Sequence, residues 1–252
     1  MTAMDAANPN PGPSTGLAPA VLELLKEGGP GTIRVCQQYG KRCAWSLPAD
    51  LFRDHAAHFR QTLPKEFTLD DEGALEVFIE SVLTGSWRAR PVKVDLTSMS
   101  MLGFQEEAPD VDSLNWQVKA SIYACQFGVT IGAPKFHNYA MKQLFEAFHT
   151  KRMPLSARIA IHACHGKGHL ADFIQNLIIR DWNEDMGIIH SSDPDWEEFF
   201  EDKQFRPRFI KEIGMSHEAK KTHQLKLDDY LMNDLEPVQR RADNISKRKR
   251  FI

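Results

Sequence analysis

Asp70-Asp71-Glu72-Gly73-Ala74-Leu75-Glu76-Val77-Phe78-Ile79-Glu80-Ser81-Val82-Leu83-Thr84-Gly85-Ser86-Trp87 is the stretch whose reading decides how this chain is organised. Asp70 and Asp71 supply an N-cap and a negative first turn, which satisfy orphan amides and oppose the helix dipole. Ala74, Leu75, Phe78 and Val82 form an apolar stripe at helical spacing. Gly85 stands where a left-handed C′ residue ends a helix without Cβ strain. The pattern predicts a helix over 72–84 that stops abruptly.

Upstream, Thr32-Ile33-Arg34-Val35-Cys36 alternates weakly and is rich in β-branched residues. A turn around Gly40 and a return over Arg42 to Leu47 make a hairpin. Leu51, Phe52, His55 and Phe59 recur at helical spacing, as do Phe59 and Leu63 before Pro64 breaks the pattern. Lys65 to Leu69 predicts a short third strand. Ala18 to Lys26 predicts a helix ended by Gly28-Gly29-Pro30. Residues 1–19, with four prolines among small polar residues, bury too little surface to offset their ordering entropy and are expected to be disordered.

Downstream, residues 88–114 hold Pro91, Gly103, Pro109 and a run of acids, so a long inserted loop is expected, with a strand at Val92 to Leu96. Helices are predicted over Asn115 to Phe127, closed by Gly128, and over Ala133 to His149, with Pro134 near N1. Further helices are expected from Pro154 to Ile161, around Leu170 to Ile178, after Ser192-Asp193-Pro194, over Phe205 to Ile213 and over Leu225 to Leu235. A few strands followed by helices is an α+β or mostly α order. It lacks the βαβα alternation of a nucleotide-binding sheet.

Composition narrows the function classes. The chain has 252 residues and a formal charge of −3, without the basic excess of a general polyanion binder. An apolar share of 42% with fifteen Phe and five Trp allows a substantial core. Cys36, Cys43, Cys125 and Cys164 form no CxxC pair, which fits a reducing compartment better than a disulfide framework. No apolar run reaches about 18 residues, and no basic-then-apolar signal opens the chain. An intracellular location, in nucleus or cytoplasm, is expected, with no membrane and no specific nucleic-acid partner.

Three motifs in order resemble the BTB/POZ family in its divergent fungal form. Leu83-Thr84-Gly85-Ser86-Trp87 is similar to the Tyr-Thr-Gly-x-aromatic signature that ends the third family helix. Ile122-Tyr123-Ala124-Cys125-Gln126-Phe127-Gly128-Val129 resembles the Val-Tyr-x-Leu-Ala-Asp-Lys-aromatic-x-Val helix end, slightly compressed. His58-Phe59-Arg60-Gln61-Thr62-Leu63 is similar to Pro-Phe-Phe-Arg-x-x-Leu, and Leu24-Leu25-Lys26-Glu27-Gly28 resembles the usual approach to the first strand. The family's His-Lys after the second strand falls at Pro48-Ala49, and its Asp-Lys at Cys125-Gln126. The resemblance implies an α+β BTB/POZ-like domain over 20–150, carrying the 88–114 insertion. A helical extension over 151–235 and a basic tail over 236–252 would follow.

It also implies non-enzymatic protein–protein association, homo- or heterotypic, in an adaptor or regulator. Many members bind a cullin scaffold. This chain shows no Kelch, MATH or zinc-finger module for recruiting a substrate, so generic association is the expected role. Leu22, Leu25, Phe52 and His55 are the expected partner-facing residues, with Met99 and Met101 as an adaptable second patch. Lys247, Arg248, Lys249 and Arg250 form a nuclear-import candidate.

The residues also offer a rival from another class. His162, Cys164, His165 and His169 are metal-ligating types within eight positions, and His162 and His165 share a helical face. A polar helix end with histidines near the C-terminal dipole is the preferred reading and needs no metal. Gly166-Lys167-Gly168 lacks the Ser/Thr and preceding strand of a phosphate loop. Acids at 193, 195, 197, 198, 201 and 202 lack the glycine and alternation of a calcium loop and read as a solvated helix start. Ser98 and Ser100 sit in no nucleophile elbow. No catalytic residue and no cofactor or metal is expected.

Overall fold

A computed structural model describes residues 31–37, 43–61, 65–69, 72–90, 114–165, 168–182, 189, 194–215 and 225–233. The fold is mixed α+β and mostly helical. Strands β1 (Thr32–Gln37) and β2 (Cys43–Pro48) form the expected antiparallel hairpin, with Ile33 opposite Leu47. Between the Val35–Trp45 and Cys36–Cys43 pairs the register shifts, leaving one extra residue on β2. Strand β3 (Glu66–Leu69) adds to the other side of β1 in parallel, so the sheet order is β2-β1-β3.

The segment between β2 and β3 holds two short helices rather than one long one: α1 (Ala49–His55) and α2 (His58–Gln61). Ala56 between them is extended, and the next amide, Ala57 N–H, donates to the Gly132 carbonyl at 2.7 Å. That tertiary bond takes an amide a continuous helix would need. Helix α3 (Glu72–Thr84) has the predicted bounds. Gly85 has φ +80, and its N–H donates to Ser81 O at 2.7 Å, the ending its position predicts.

Helix α4 (Leu114–Ile131) runs straight through Gly128, which therefore does not cap it. The stop is Gly132, at φ +66. Gly128 serves a different end. A Cβ there would lie 2.9 Å from His137 Cβ and 3.1 Å from His137 Cα, so the missing side chain lets α5 (Pro134–Phe145) approach closely. Helix α5 starts with Pro at N1 as expected and continues into one π-helical turn, Glu146–Thr150.

The later helices are α6 (Ala157–Ala163), α7 (His169–Asp181), α8 (Asp195–Phe199) and α9 (Phe205–Ile213). Helix α6 begins three residues after Pro154, because Ser156 is its N-cap and accepts from Ile159 N–H at 3.3 Å. Pro194 sits at the N-cap of α8 rather than at N1. Of the helix expected over 225–235, the described residues 225–233 form a single 3-10 turn, Leu227–Tyr230.

The core centres on Phe78, which stacks near Phe52 at 5.8 Å and meets Phe127 and Phe136 edge-on at 5.6 and 5.2 Å. Phe59 and Ile122 are fully buried and Val82 packs against the same cluster, as the motif positions predict. The cluster continues without a break from Ile33 to Tyr230, past position 150, so the helical extension is packed onto the same core. There, Trp182 meets Trp196, Phe200 and Phe209 edge-to-face at 5.2–5.3 Å. Arg158 grips Asp195 through two bonds of 2.7 and 3.0 Å and reaches Glu198 at 3.4 Å. No described helix is long and apolar enough to cross a membrane.

Candidate functional site

The residues expected to face a partner divide sharply. His55 is exposed at the end of α1. Phe52 is not available: it is 0% exposed, with its ring 4.9 Å from Phe59 and 5.8 Å from Phe78. Phe52 is therefore corrected from surface to core. Its helical stripe faces inward because α3 and the sheet lie on that side. Leu22, Leu25, Met99, Met101 and the Lys247 to Arg250 run lie outside the described residues, as do the predicted disorder of 1–19, the helix over 18–26 and the strand over 92–96. Among the described residues the exposed large apolar side chains are Leu83 and Ile210, on different helices. Single exposed residues of this kind are ordinary surface.

The Leu83 to Trp87 corner is a built structure. The Thr84 hydroxyl lies 2.9 Å from Glu80 O and 2.7 Å from Ser86 O, and accepts from Ser86 N–H at 3.4 Å. Trp87 turns inward onto Phe136 and Tyr139, with centroids 5.5 and 4.5 Å away. The chain is then held by a buried ionic group. Arg90 Nη1 donates to Glu76 Oε2 at 3.2 Å, Nη2 lies 3.8 Å from Glu80 Oε2, and the guanidinium sits 5.1 Å from the Trp116 ring centroid. Glu80 Oε1 also accepts from Arg88 N–H at 2.6 Å. Arg90, Glu76 and Glu80 are all buried. Nothing in the sequence pattern distinguished these acids from a solvated helix face. The one available signal was their i,i+4 spacing, followed by a basic pair at Arg88 and Arg90. The group fixes residues 88–90 on α3 and α4 where the chain leaves for the 91–113 segment.

The histidine group does not converge. His162 packs its ring edge-on to Tyr123 at 5.1 Å and lies 6.4 Å from His165, nearly parallel to it. His169 faces His137 instead, at 5.8 Å. Cys164 directs its thiol at Ala171 O, 3.8 Å away. Burial pushes that thiol up to about 12, helped by Asp202 and Asp172, so it stays protonated. Among the described residues no three His, Cys, Asp or Glu side chains come together as a metal site. His162 is held down to about 4, first by burial and then by the neighbouring charges of His165 and Lys119. Its Nε2 is buried without a hydrogen-bond partner among the described residues. Burial also raises the Cys125 thiol and lowers His149.

No family model matches the chain, nor does any curated protein or solved structure.

Proposed function

We propose that this chain is a BTB/POZ-like protein–protein association module that pairs with a second copy of itself and has no catalytic role. The observation that carries the reading is the order of elements together with the place of the motif. A hairpin, a helical segment, a third strand, a helix and a helix pair follow one another, an order that supports the resemblance. Leu83 to Trp87 closes the helix after the third strand, with Thr84, Gly85 and Trp87 each structurally employed. Phe59, Ile122 and Phe127 from the other two motifs are core residues.

In this reading the contact surface combines exposed His55 on α1 with Leu22, Leu25, Met99 and Met101. A stable pair needs roughly 1,200–2,000 Å² of total buried surface. A cullin scaffold, an adaptor role and nuclear import through Lys247 to Arg250 are extensions of the same proposal.

Co-expression of two differently tagged full-length copies tests it. Affinity capture of one tag is expected to recover the other in comparable amount, and Leu22→Asp with Leu25→Asp is expected to abolish recovery. Failure of the wild-type chains to co-purify overturns self-association.

A further inference from the structure

Residues 225–233 lie against α5 and α7 in the manner of a bound peptide. Asn138 on α5 reads the backbone of one residue in both directions: Met232 N–H donates to Asn138 Oδ1 at 2.7 Å, and Asn138 Nδ2 donates to Met232 O at 2.9 Å. A side-chain amide carries the same donor and acceptor as a backbone unit, so the pair mimics a rung of a β ladder. Tyr230 is 4% exposed, with its ring edge-on to Phe173 at 5.3 Å, and its hydroxyl accepts from Asn176 Nδ2 at 2.9 Å. Asn176 is itself oriented by Arg208, which donates to its Oδ1. Leu225, Tyr230 and Met232 point inward, while Lys226, Asp228, Asp229 and Asn233 face solvent. The segment's only helical turn is Leu227–Tyr230. Its order therefore comes from the surface beneath it. Side-chain pockets combined with backbone-reading hydrogen bonds are the physics of peptide recognition.

We propose that the face between α5 and α7 is a peptide-binding site, occupied in cis by residues 225–233 and able to take the same segment from a second copy of this chain. Exchange of an identical element is a low-cost route to association, because every contact is reproduced. This inference stands on its own contacts and does not depend on the family reading.

The probe is a fluorescein-labelled synthetic peptide of residues 225–233, followed by anisotropy on the full-length chain. The wild-type chain binds it weakly, because the tethered copy competes at an effective concentration on the order of millimolar. Tyr230→Ala in the chain weakens that competitor, and the wild-type peptide is then expected to bind at least tenfold more tightly. Adding Asn138→Leu removes the backbone reader and is expected to reverse the gain. Where circular dichroism shows that Tyr230→Ala does not fold, Tyr230→Phe carries the test. It keeps the ring, loses the Asn176 bond and is expected to gain about threefold. No gain in the folded variant, or a gain that survives Asn138→Leu, overturns the site.

Discussion

Gly128→Ala adds one methyl group in the middle of α4, where two effects oppose each other. Helix propensity alone favours Ala over Gly by about 1 kcal/mol. Against it, the new Cβ would stand 2.9 Å from His137 Cβ and 3.1 Å from both His137 Cα and N, where ordinary contact begins at 3.4 Å. Two of those three atoms are backbone, so a rotamer change cannot relieve the clash. The first turn of α5 would have to shift, although Pro134 opens it and Ala133 N–H is tied to Gly128 O at 2.8 Å. Overpacking of this kind costs about 1–3 kcal/mol, and rigid backbone places this case at the upper end. The net expectation is a loss of about 1–2 kcal/mol once the propensity gain is subtracted. For a chain of this size that lowers Tm by about 2–8 °C. Urea unfolding followed by circular dichroism, with thermal melts alongside, reads the change. A Gly128→Ala chain as stable as wild type, or more stable, refutes the close approach.

Other outcomes follow from the same contacts. Arg90→Met removes the guanidinium that buried Glu76 and Glu80 share and is expected to cost about 3–5 kcal/mol in urea unfolding, most of it recovered by adding Glu76→Gln and Glu80→Gln; a loss below about 1 kcal/mol contradicts the buried ionic group. Wild-type stability should fall as pH drops from 6.5 to about 4, because the unfolded His162 takes a proton in that window while the folded one does not. Allowing for solvent around the partly exposed ring, the loss is about 2 kcal/mol. His162→Phe keeps the packing on Tyr123 and should flatten that slope; an unchanged pH profile counts against the burial that holds His162 down. Chelation with EDTA is expected to leave the melting temperature unchanged. Stoichiometric zinc in the purified chain, lost on His165→Ala, would replace the association reading with the metal-centred one.

What the sequence made legible was local. Helices α3 and α9 have the predicted bounds, and the hairpin and third strand fall where β-branched runs and turn residues place them. Gly85 was legible because a C′ glycine leaves a one-dimensional signature. Gly128 carries the same letter after the same kind of apolar run, yet its role is set by a helix that packs back against it. Spacing cannot show that. Phe52 failed for a related reason: a helical stripe identifies a buried face without saying whether this chain or a partner buries it. The ionic group at Arg90 and the Asn138–Met232 pair join residues 14 and 94 positions apart. Such pairings exist only after α3, α5 and the returning segment have been placed by the core. The histidines show the converse, since closeness in sequence did not bring His162, His165 and His169 into one coordination sphere.

Light scattering on the full-length chain across a dilution series tests self-association most directly. Self-association predicts a particle of twice the 28.7 kDa chain mass, dissociating only on strong dilution. A single 28.7 kDa species at every concentration would contradict it.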